Sequence, residues 1–237
     1  MPENPNAETP HRTAPAVQGN PAQEGIDAAR QDDAINALLS NEQTQKAVSE
    51  LLQKLKLSLA EVTVTQGIWG WPGAAECATV ETEAGEEYMV TPDEDTTHAL
   101  AIESVKNDLN DSPENFKTSF IERYIDLNRV RQALMPDVEE MAREDAFENG
   151  KTNEAGEFDE DAITKEAEET LKDPIAYLKE TFGEEEGTKQ AIQFGGINID
   201  EAAEDAVAAD GDGHFLSSYD GNVHDLPVSR GQYWRHN

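Results

Sequence analysis

The sequence has one cysteine, few aromatic residues and little positive charge. Cys77 stands alone, so the chain cannot form an internal disulfide, and a reducing compartment is the simplest setting for it. Aromatic residues make up 6% of the chain and hydrophobic residues 37%, so a core must rely on Ala, Leu, Ile and Val. The sequence lacks a secretory signal, and no apolar run approaches the roughly 20 residues that cross a bilayer. These absences predict a soluble, cytoplasmic protein.

The sequence also lacks the motifs that cradle phosphates or activate a nucleophile. It contains no GxxxxGK[ST] loop, no GxGxxG after a strand and no nucleophile elbow. Ser217 and Ser218 lie near His214 and Asp220, but closeness along a chain is weak evidence for a catalytic triad. We therefore expect no catalytic residues and no cofactor, which predicts a non-enzymatic protein.

The segment "DGDGH", which begins at Asp210, superficially resembles a calcium-binding loop. Such a loop needs Gly at its sixth position and Glu at its twelfth, and these positions hold Phe215 and Gly221. A helix end that leads into a strand explains the segment more simply. We expect no metal site here.

The charge is the dominant property of the chain. Acidic residues outnumber basic ones 50 to 18, which gives a formal net charge of −32. This charge repels nucleic acid and anionic membranes, so direct binding to either is not expected. The expected partners are cations, basic protein surfaces or proteins whose natural ligand is a polyanion, such as a nucleic-acid-binding enzyme. The charge is concentrated in residues 131–210, where 24 acidic and 7 basic residues give a net charge of −17.

Two regions follow from the composition. Residues 1–30 hold five of the eleven prolines and few bulky apolar side chains, so burial cannot offset their ordering entropy, and we expect a disordered arm. Residues 31–237 are expected to form a single domain with an acidic helical region at 131–210. At the start of this domain, apolar residues from Ile35 to Leu55 recur at three- and four-residue steps. This spacing predicts one helix, which either docks on the domain or pairs with another chain.

Strand signals appear in the middle and near the end of the sequence. "ECATVETEAGEEYMV" predicts a β-hairpin that turns at residues 83–86 and offers Val80, Tyr88 and Val90 to a core. Near the end, alternating runs around Asp220-Gly221 predict a second hairpin that pairs with the earlier strands.

Two side-chain roles are expected near these strands. Trp69 and Trp71 lie in the glycine-rich loop "GIWGWPG", where capping of the core edge is favoured over a binding platform. Arg235 is expected to pair with a local carboxylate rather than with a ligand.

Capping signals place several helices. Thr91 and Ser112, each followed by proline, predict two helix starts. The first helix places His98, Ile102, Val105 and Leu109 on one face. A third helix is expected to bend or break at Pro136, and another runs from Asp173 to a stop at Gly183. The predicted fold is α+β, with a small, mostly antiparallel sheet packed against five to seven helices.

The acidic helices are the candidate binding site. One carboxylate per turn gives a charge every roughly 5.4 Å, whereas B-DNA carries one every roughly 3.4 Å on each strand, so two or three adjacent helices would approach its charge density. The alternative is a solvated face that serves only solubility. The candidate partner-binding residues are Glu139, Glu140, Glu144, Asp145, Glu166 and Glu169.

Two segments carry a resemblance to a known group of proteins. "GEEYMVTPDEDTTHALAIESVKNDL" at 85–109 and "DGDGHFLSSYDGNVHDLPVSRGQYWRHN" at 210–237 resemble acidic accessory proteins of tailed bacteriophages and mobile elements, a group with no assigned function. The resemblance implies a phage or mobile-element setting, where small acidic proteins inhibit host DNA-binding enzymes or serve virion assembly.

Two functions are expected from these observations. The first is an acidic protein-binding factor of phage type, whose most specific form is a nucleic-acid mimic that inhibits a host DNA-binding or defence protein. The second is a virion structural or assembly protein that oligomerises through the N-terminal helix. The expected location is the host cytoplasm for the first and the virion for the second.

Overall fold

The computed structural model describes residues 21–68, 71, 74–150 and 157–237. Ten α-helices and one antiparallel sheet of five strands form within these residues, so the α+β class is confirmed, with more helices than the five to seven predicted. The helices are α1 (Pro21–Leu38), α2 (Glu42–Leu55), α3 (Glu94–Asp111), α4 (Thr118–Ile121), α5 (Leu127–Glu148), α6 (Glu160–Thr170), α7 (Pro174–Phe182), α8 (Glu184–Gly195), α9 (Ile199–Asp210) and α10 (Asp212–Leu216). The strands are β1 (Val62–Gln66), β2 (Ala78–Thr82), β3 (Glu87–Thr91), β4 (His224–Asp225) and β5 (Gln232–Arg235).

Within this described part, none of the helices combines the length and apolar character that crossing a membrane requires.

The sheet has the strand order β1-β2-β3-β5-β4. The predicted hairpin joins β2 to β3 through residues 83–86, and Gly85 supplies the positive φ of 81° that the turn requires. The expected pairing of the last segment with the earlier strands is confirmed, because β5 pairs with β3 and places Trp234 opposite Met89.

The prediction that the turn at Asp220-Gly221 joins the strands of a hairpin is wrong, since residues 226–231 connect β4 to β5. Asp220 instead accepts hydrogen bonds from the Ser217 hydroxyl and the Asn222 backbone N–H, which fix a local turn after α10.

One face of the sheet is covered by α1 and α2. The predicted helix from Ile35 to Leu55 is two helices, because the Asn41 side chain accepts hydrogen bonds from the N–H groups of Gln43 and Thr44 and starts α2. Helix α1 begins at Pro21, inside the range assigned to the arm, and residues 1–20 lie outside the described residues. The fully buried side chains on this face include Ile35, Val48, Leu51 and Leu52 from the helices and Val80 and Val90 from the sheet.

The other face of the sheet meets the larger core. Helix α3 is capped by Asp93 rather than Thr91, because Thr91 ends β3 and its hydroxyl lies 2.7 Å from that of Thr97. On the face that the spacing predicted, Val105 and Leu109 are buried, whereas His98 is exposed and lies 2.8 Å from a carboxylate oxygen of Asp212. The buried face of α3 carries Leu100, Ala101, Val105 and Leu109.

The helix predicted to start at Ser112 is wrong. The segment forms the 3-10 turns Pro113–Asn115 and Glu122–Tyr124 with the four-residue α4 between them. Tertiary contacts override the helical pattern, because the Tyr124 hydroxyl donates a 2.6 Å hydrogen bond to Asp205 on α9. The ring of Phe120 also lies against Tyr124, with 5.0 Å between the ring centroids.

Helix α5 runs unbroken for 22 residues through Pro136. A proline removes one intrahelical hydrogen bond, and here the unpaired carbonyl, that of Gln132, belongs to an exposed residue that water can solvate. Helix α7 is capped by Asp173 and ends at Gly183, as predicted. Helix α8 was not predicted. Gly183 is both the C-cap of α7 and the N-cap of α8, so the glycine that marks the end of one helix gives no separate signal for the start of the next.

The two side-chain roles predicted near the strands have different outcomes. Trp71 is partly buried against the larger core, in agreement with a capping role, whereas Trp69 lies outside the described residues. Arg235 pairs with Glu86 at 3.0 Å, so the expected local carboxylate is present.

Candidate protein-binding surface

Helix α5 carries a row of four exposed carboxylates, which we name the acidic stripe: Asp137, Glu140, Glu144 and Glu148. Their spacing of three, four and four residues keeps them on one side of the helix over about 16 Å. Among the described residues, no Lys or Arg nitrogen lies within 4.0 Å of any of these carboxylates. These carboxylates therefore have no ion pair at contact distance, and Arg143, three residues after Glu140, offers only a longer-range attraction.

The packing of α5 sets the direction of the stripe. Along the stripe, the buried residues of α5 are Val138, Ala142 and Ala146, and each lies about 160° around the helix from the stripe residue two positions later, so the stripe is on the opposite side. Ala142 and Ala146 pack against α6, whose Ile163 and Ala167 are buried. Between α5 and α6, a small apolar cluster consists of Ala142, Ala146 and Ile163, with Phe158 against it.

An exposed methionine lies beside the stripe. Met141 has 55% of its surface exposed, and it is four residues from Asp137 and three from Glu144, so these carboxylates are its neighbours on the helix. Its sulfur lies 3.6 Å from the Tyr177 hydroxyl on α7. The surface therefore combines a flexible apolar side chain with unpaired negative charge.

Four of the candidate residues lie on α5, and they have different surroundings. Glu140 and Glu144 belong to the stripe. Asp145 is exposed and, being four residues after Met141, extends the negative surface beyond the methionine. Glu139 is half-buried at the α5–α6 contact, where it accepts a 3.1 Å hydrogen bond from Thr164. Its carboxylate also lies 3.7 Å from the guanidinium of Arg143, so Glu139 is engaged inside the molecule.

The two candidates on α6 lie on another side of the molecule. Glu166 is about 200° around the helix from Thr164 but about 60° from Ile163, and both of these residues contact α5, so Glu166 lies at the edge of that contact. Glu169 is about 140° from Thr164 and lies 3.6 Å from Lys172. The six candidates thus do not form one surface. The prediction selected acidic residues by the helix that carries them and left out Asp137 and Glu148. Their spacing of three and four residues from Glu140 and Glu144 would have identified them.

The serine and histidine residues near the end of the chain do not form a hydrolase triad. Ser217 is buried, and its hydroxyl lies 3.0 Å from Asp220 and 2.8 Å from the carbonyl oxygen of Arg235. His224 lies 3.5 Å from the other oxygen of Asp220, so the carboxylate stands between serine and histidine. In a triad the histidine contacts the serine directly. The ring of His214 packs against Phe215 instead.

Cys77 is fully buried, and burial raises the pKa of its thiol to about 12, with the nearby Glu76 and Asp93 charges adding to the effect. The reactive thiolate is therefore scarce at neutral pH. Within the described residues, no group of three or more His, Cys, Asp or Glu side chains is placed to hold a metal ion.

No protein-family model, no curated protein and no solved structure matches the chain. The resemblance to phage accessory proteins therefore stays a prediction.

Proposed function

We propose that this chain is a non-enzymatic protein-binding factor whose acidic stripe engages a basic surface of another protein. The observation that carries the proposal is the set of four carboxylates on one side of α5 that have no Lys or Arg nitrogen within 4.0 Å among the described residues. Like charges three or four residues apart destabilise a helix. A cationic surface on a partner protein would attract these carboxylates and offset their mutual repulsion.

Binding would depend on two features of the surface. The stripe accelerates the encounter with a basic partner, because a field of one sign steers association and is screened by salt. Met141 and Tyr177 then supply apolar contact at short range, which decides how long the complex lasts. The expected complex forms quickly, is sensitive to salt, and weakens when Met141 is truncated.

Nucleic-acid mimicry is the most specific form of this proposal. The stripe holds one charge per roughly 5.5 Å, fewer than the one per roughly 3.4 Å of a DNA strand. Exposed Asp145, the residue after Glu144 on α5, adds a further charge beside the stripe. Competition with duplex DNA distinguishes a mimic from a general acidic binder.

The alternative function, a virion protein that oligomerises through the N-terminal helix, has less support. The apolar face of α2 is occupied, since Val48, Leu51 and Leu52 are fully buried against the chain's own sheet. We therefore favour the acidic binder over assembly through this helix.

The test is affinity capture from bacterial lysate with three proteins, at low and moderate salt and with or without duplex DNA. They are the wild type, a stripe variant and a control variant with the same net charge. The stripe variant carries Asp137→Asn, Glu140→Gln, Glu144→Gln and Glu148→Gln. The control variant removes four exposed carboxylates elsewhere: Glu83→Gln, Glu103→Gln, Asp108→Asn and Glu204→Gln.

We expect a captured protein with a basic surface to be lost from the stripe variant and kept by the control. Displacement by DNA would support mimicry, whereas salt-sensitive capture that DNA does not displace would restrict the function to protein binding. Equal capture by the stripe variant and the wild type would contradict the proposal.

A further inference from the structure

A cavity of about 260 Å³ lies on the face of the sheet that is opposite α2. Three neighbouring strands contribute to it, because the register places Thr79 opposite Met89 and Met89 opposite Trp234. Residues two apart on a strand point to the same face, so Glu87 and His236 lie beside them. Ile68, Trp71 and Leu216 complete the lining.

Two tryptophans give the cavity an aromatic wall. Trp234 is only 2% exposed, and no described residue accepts a hydrogen bond from its indole N–H. The indole nitrogen is not among the fully buried unpaired polar atoms of the described residues, so it still reaches solvent and can donate to a molecule beside Trp234. Trp71, on the loop after β1, is partly buried against the same core. The Thr79 hydroxyl is already used, because it donates to the carbonyl oxygen of Gly67 at 3.0 Å.

The carboxylates at the cavity favour a cation. Glu87 lines it, and the register places Glu81 directly opposite Glu87 on the neighbouring strand. Like charges in this arrangement repel. In the part of the chain that the structure describes, neither carboxylate has a Lys or Arg nitrogen within 4.0 Å. A bound cation would relieve this repulsion.

We propose that this cavity binds an organic ammonium cation that also carries an oxygen acceptor. The cationic head would lie against Trp71 and near Glu87, because aromatic faces and carboxylates both attract ammonium groups. The ligand oxygen would accept the hydrogen bond that the Trp234 N–H lacks. The apolar side chains of Met89 and Leu216 would contact the alkyl groups. The cavity lies on the sheet and not on α5, so this inference does not rest on the proposed function of the stripe.

Choline tests the inference, because it combines a quaternary ammonium with a hydroxyl in a molecule small enough for the cavity. Its neutral isostere, 3,3-dimethylbutan-1-ol, has the same shape without the charge. We would titrate both into the full chain and follow the indole N–H signals in ¹H–¹⁵N spectra. Single Trp71→Phe and Trp234→Phe variants assign the signals.

We expect choline to shift the Trp234 and Trp71 signals and to bind about tenfold more tightly than the alcohol. Glu87→Gln should weaken choline binding by about tenfold while leaving alcohol binding unchanged. Glu83→Gln, which changes an exposed residue of the hairpin turn, serves as the control and should leave choline binding unchanged. Equal affinity for choline and the alcohol, no binding of choline, or no effect of Glu87→Gln would each overturn the inference.

Discussion

Glu50 and Ser229 are 179 residues apart in the sequence, yet the carboxylate of Glu50 accepts two 2.7 Å hydrogen bonds from Ser229, one from its backbone N–H and one from its hydroxyl. The Val228 N–H donates a third, at 3.1 Å. Helix α2 therefore holds the turn between β4 and β5. Burial alone would raise the pKa of Glu50, but these hydrogen bonds outweigh it and lower the pKa below its usual value.

The first prediction concerns this contact. Glu50→Ala should lower the free energy of unfolding by about 1–3 kcal/mol, because it leaves the donors of the turn without their acceptor. Urea denaturation at neutral pH measures the loss. Glu83→Ala, which removes an exposed carboxylate from the hairpin turn, should change stability by less than about 0.5 kcal/mol.

The lowered pKa also gives the contact a pH dependence. A carboxyl whose folded pKa lies below its unfolded value stabilises the protein above the unfolded pKa, and this contribution is lost as the pH falls through the folded pKa. The difference in stability between the wild type and Glu50→Ala should therefore shrink in acid. A difference that stays constant from neutral pH to strongly acidic pH would contradict the hydrogen-bonded carboxylate.

The second prediction compares two lysines. The Lys179 nitrogen lies 2.6 Å from Glu122 and 2.7 Å from Glu184, and only 19% of the Lys179 side chain is exposed. Lys179→Met should cost about 2–4 kcal/mol, because it leaves the partly buried Glu122 without its cation. Lys189→Met removes an exposed pair with Glu185 and should cost less than about 1 kcal/mol. Equal losses in thermal or urea unfolding would show that the Lys179 pair has no special role.

The third prediction concerns the contact between α7 and α8. A Cβ on Gly187 would lie 2.6 Å from the backbone N and Cα of Lys179. Alanine normally stabilises a helix relative to glycine by roughly 0.5–1 kcal/mol. Here Gly187→Ala should instead destabilise the protein by about 1–3 kcal/mol, because the two helices must separate. A stability equal to or above that of the wild type in urea denaturation would disprove this close approach.

The fourth prediction concerns the cost of the acidic stripe. Neutralising its four carboxylates should raise the free energy of unfolding by about 0.5–1.5 kcal/mol at low salt, since three like-charged pairs are removed. The gain should largely disappear in molar salt, which screens the repulsion. Denaturation at two salt concentrations measures it. A stripe variant that is less stable than the wild type would indicate that the carboxylates have a structural role.

Local signals explain what could be predicted from the sequence. The hairpin turn at 83–86 and helix α7 have their turn and capping residues within a few positions, and both form where expected. The 3-10 turns near Tyr124 depend on packing between distant segments, which no local window contains. The break at Asn41, in contrast, has a local capping signal that the prediction of one continuous helix overlooked.

The candidate surface was predicted only in part, for the same reason. Spacing along α5 identifies Glu140 and Glu144 as neighbours. The direction of Glu139 and Glu166, however, depends on how α6 packs against α5 through Thr164. Residue spacing within one helix does not show how two helices pack, so the prediction grouped side chains that point in different directions.

The position of β5 between β3 and β4 has a consequence for how the chain folds. Thr91 and Gln232 pair across 141 residues, so joining these strands closes a loop that contains α3 to α10. Long-range pairing of this kind slows folding. Until β5 pairs with β3, β3 is an open sheet edge with unpaired backbone groups, and such edges can template aggregation. The high negative charge of the chain would oppose that association, so the same carboxylates that we assign to partner binding would also protect a slowly folding intermediate.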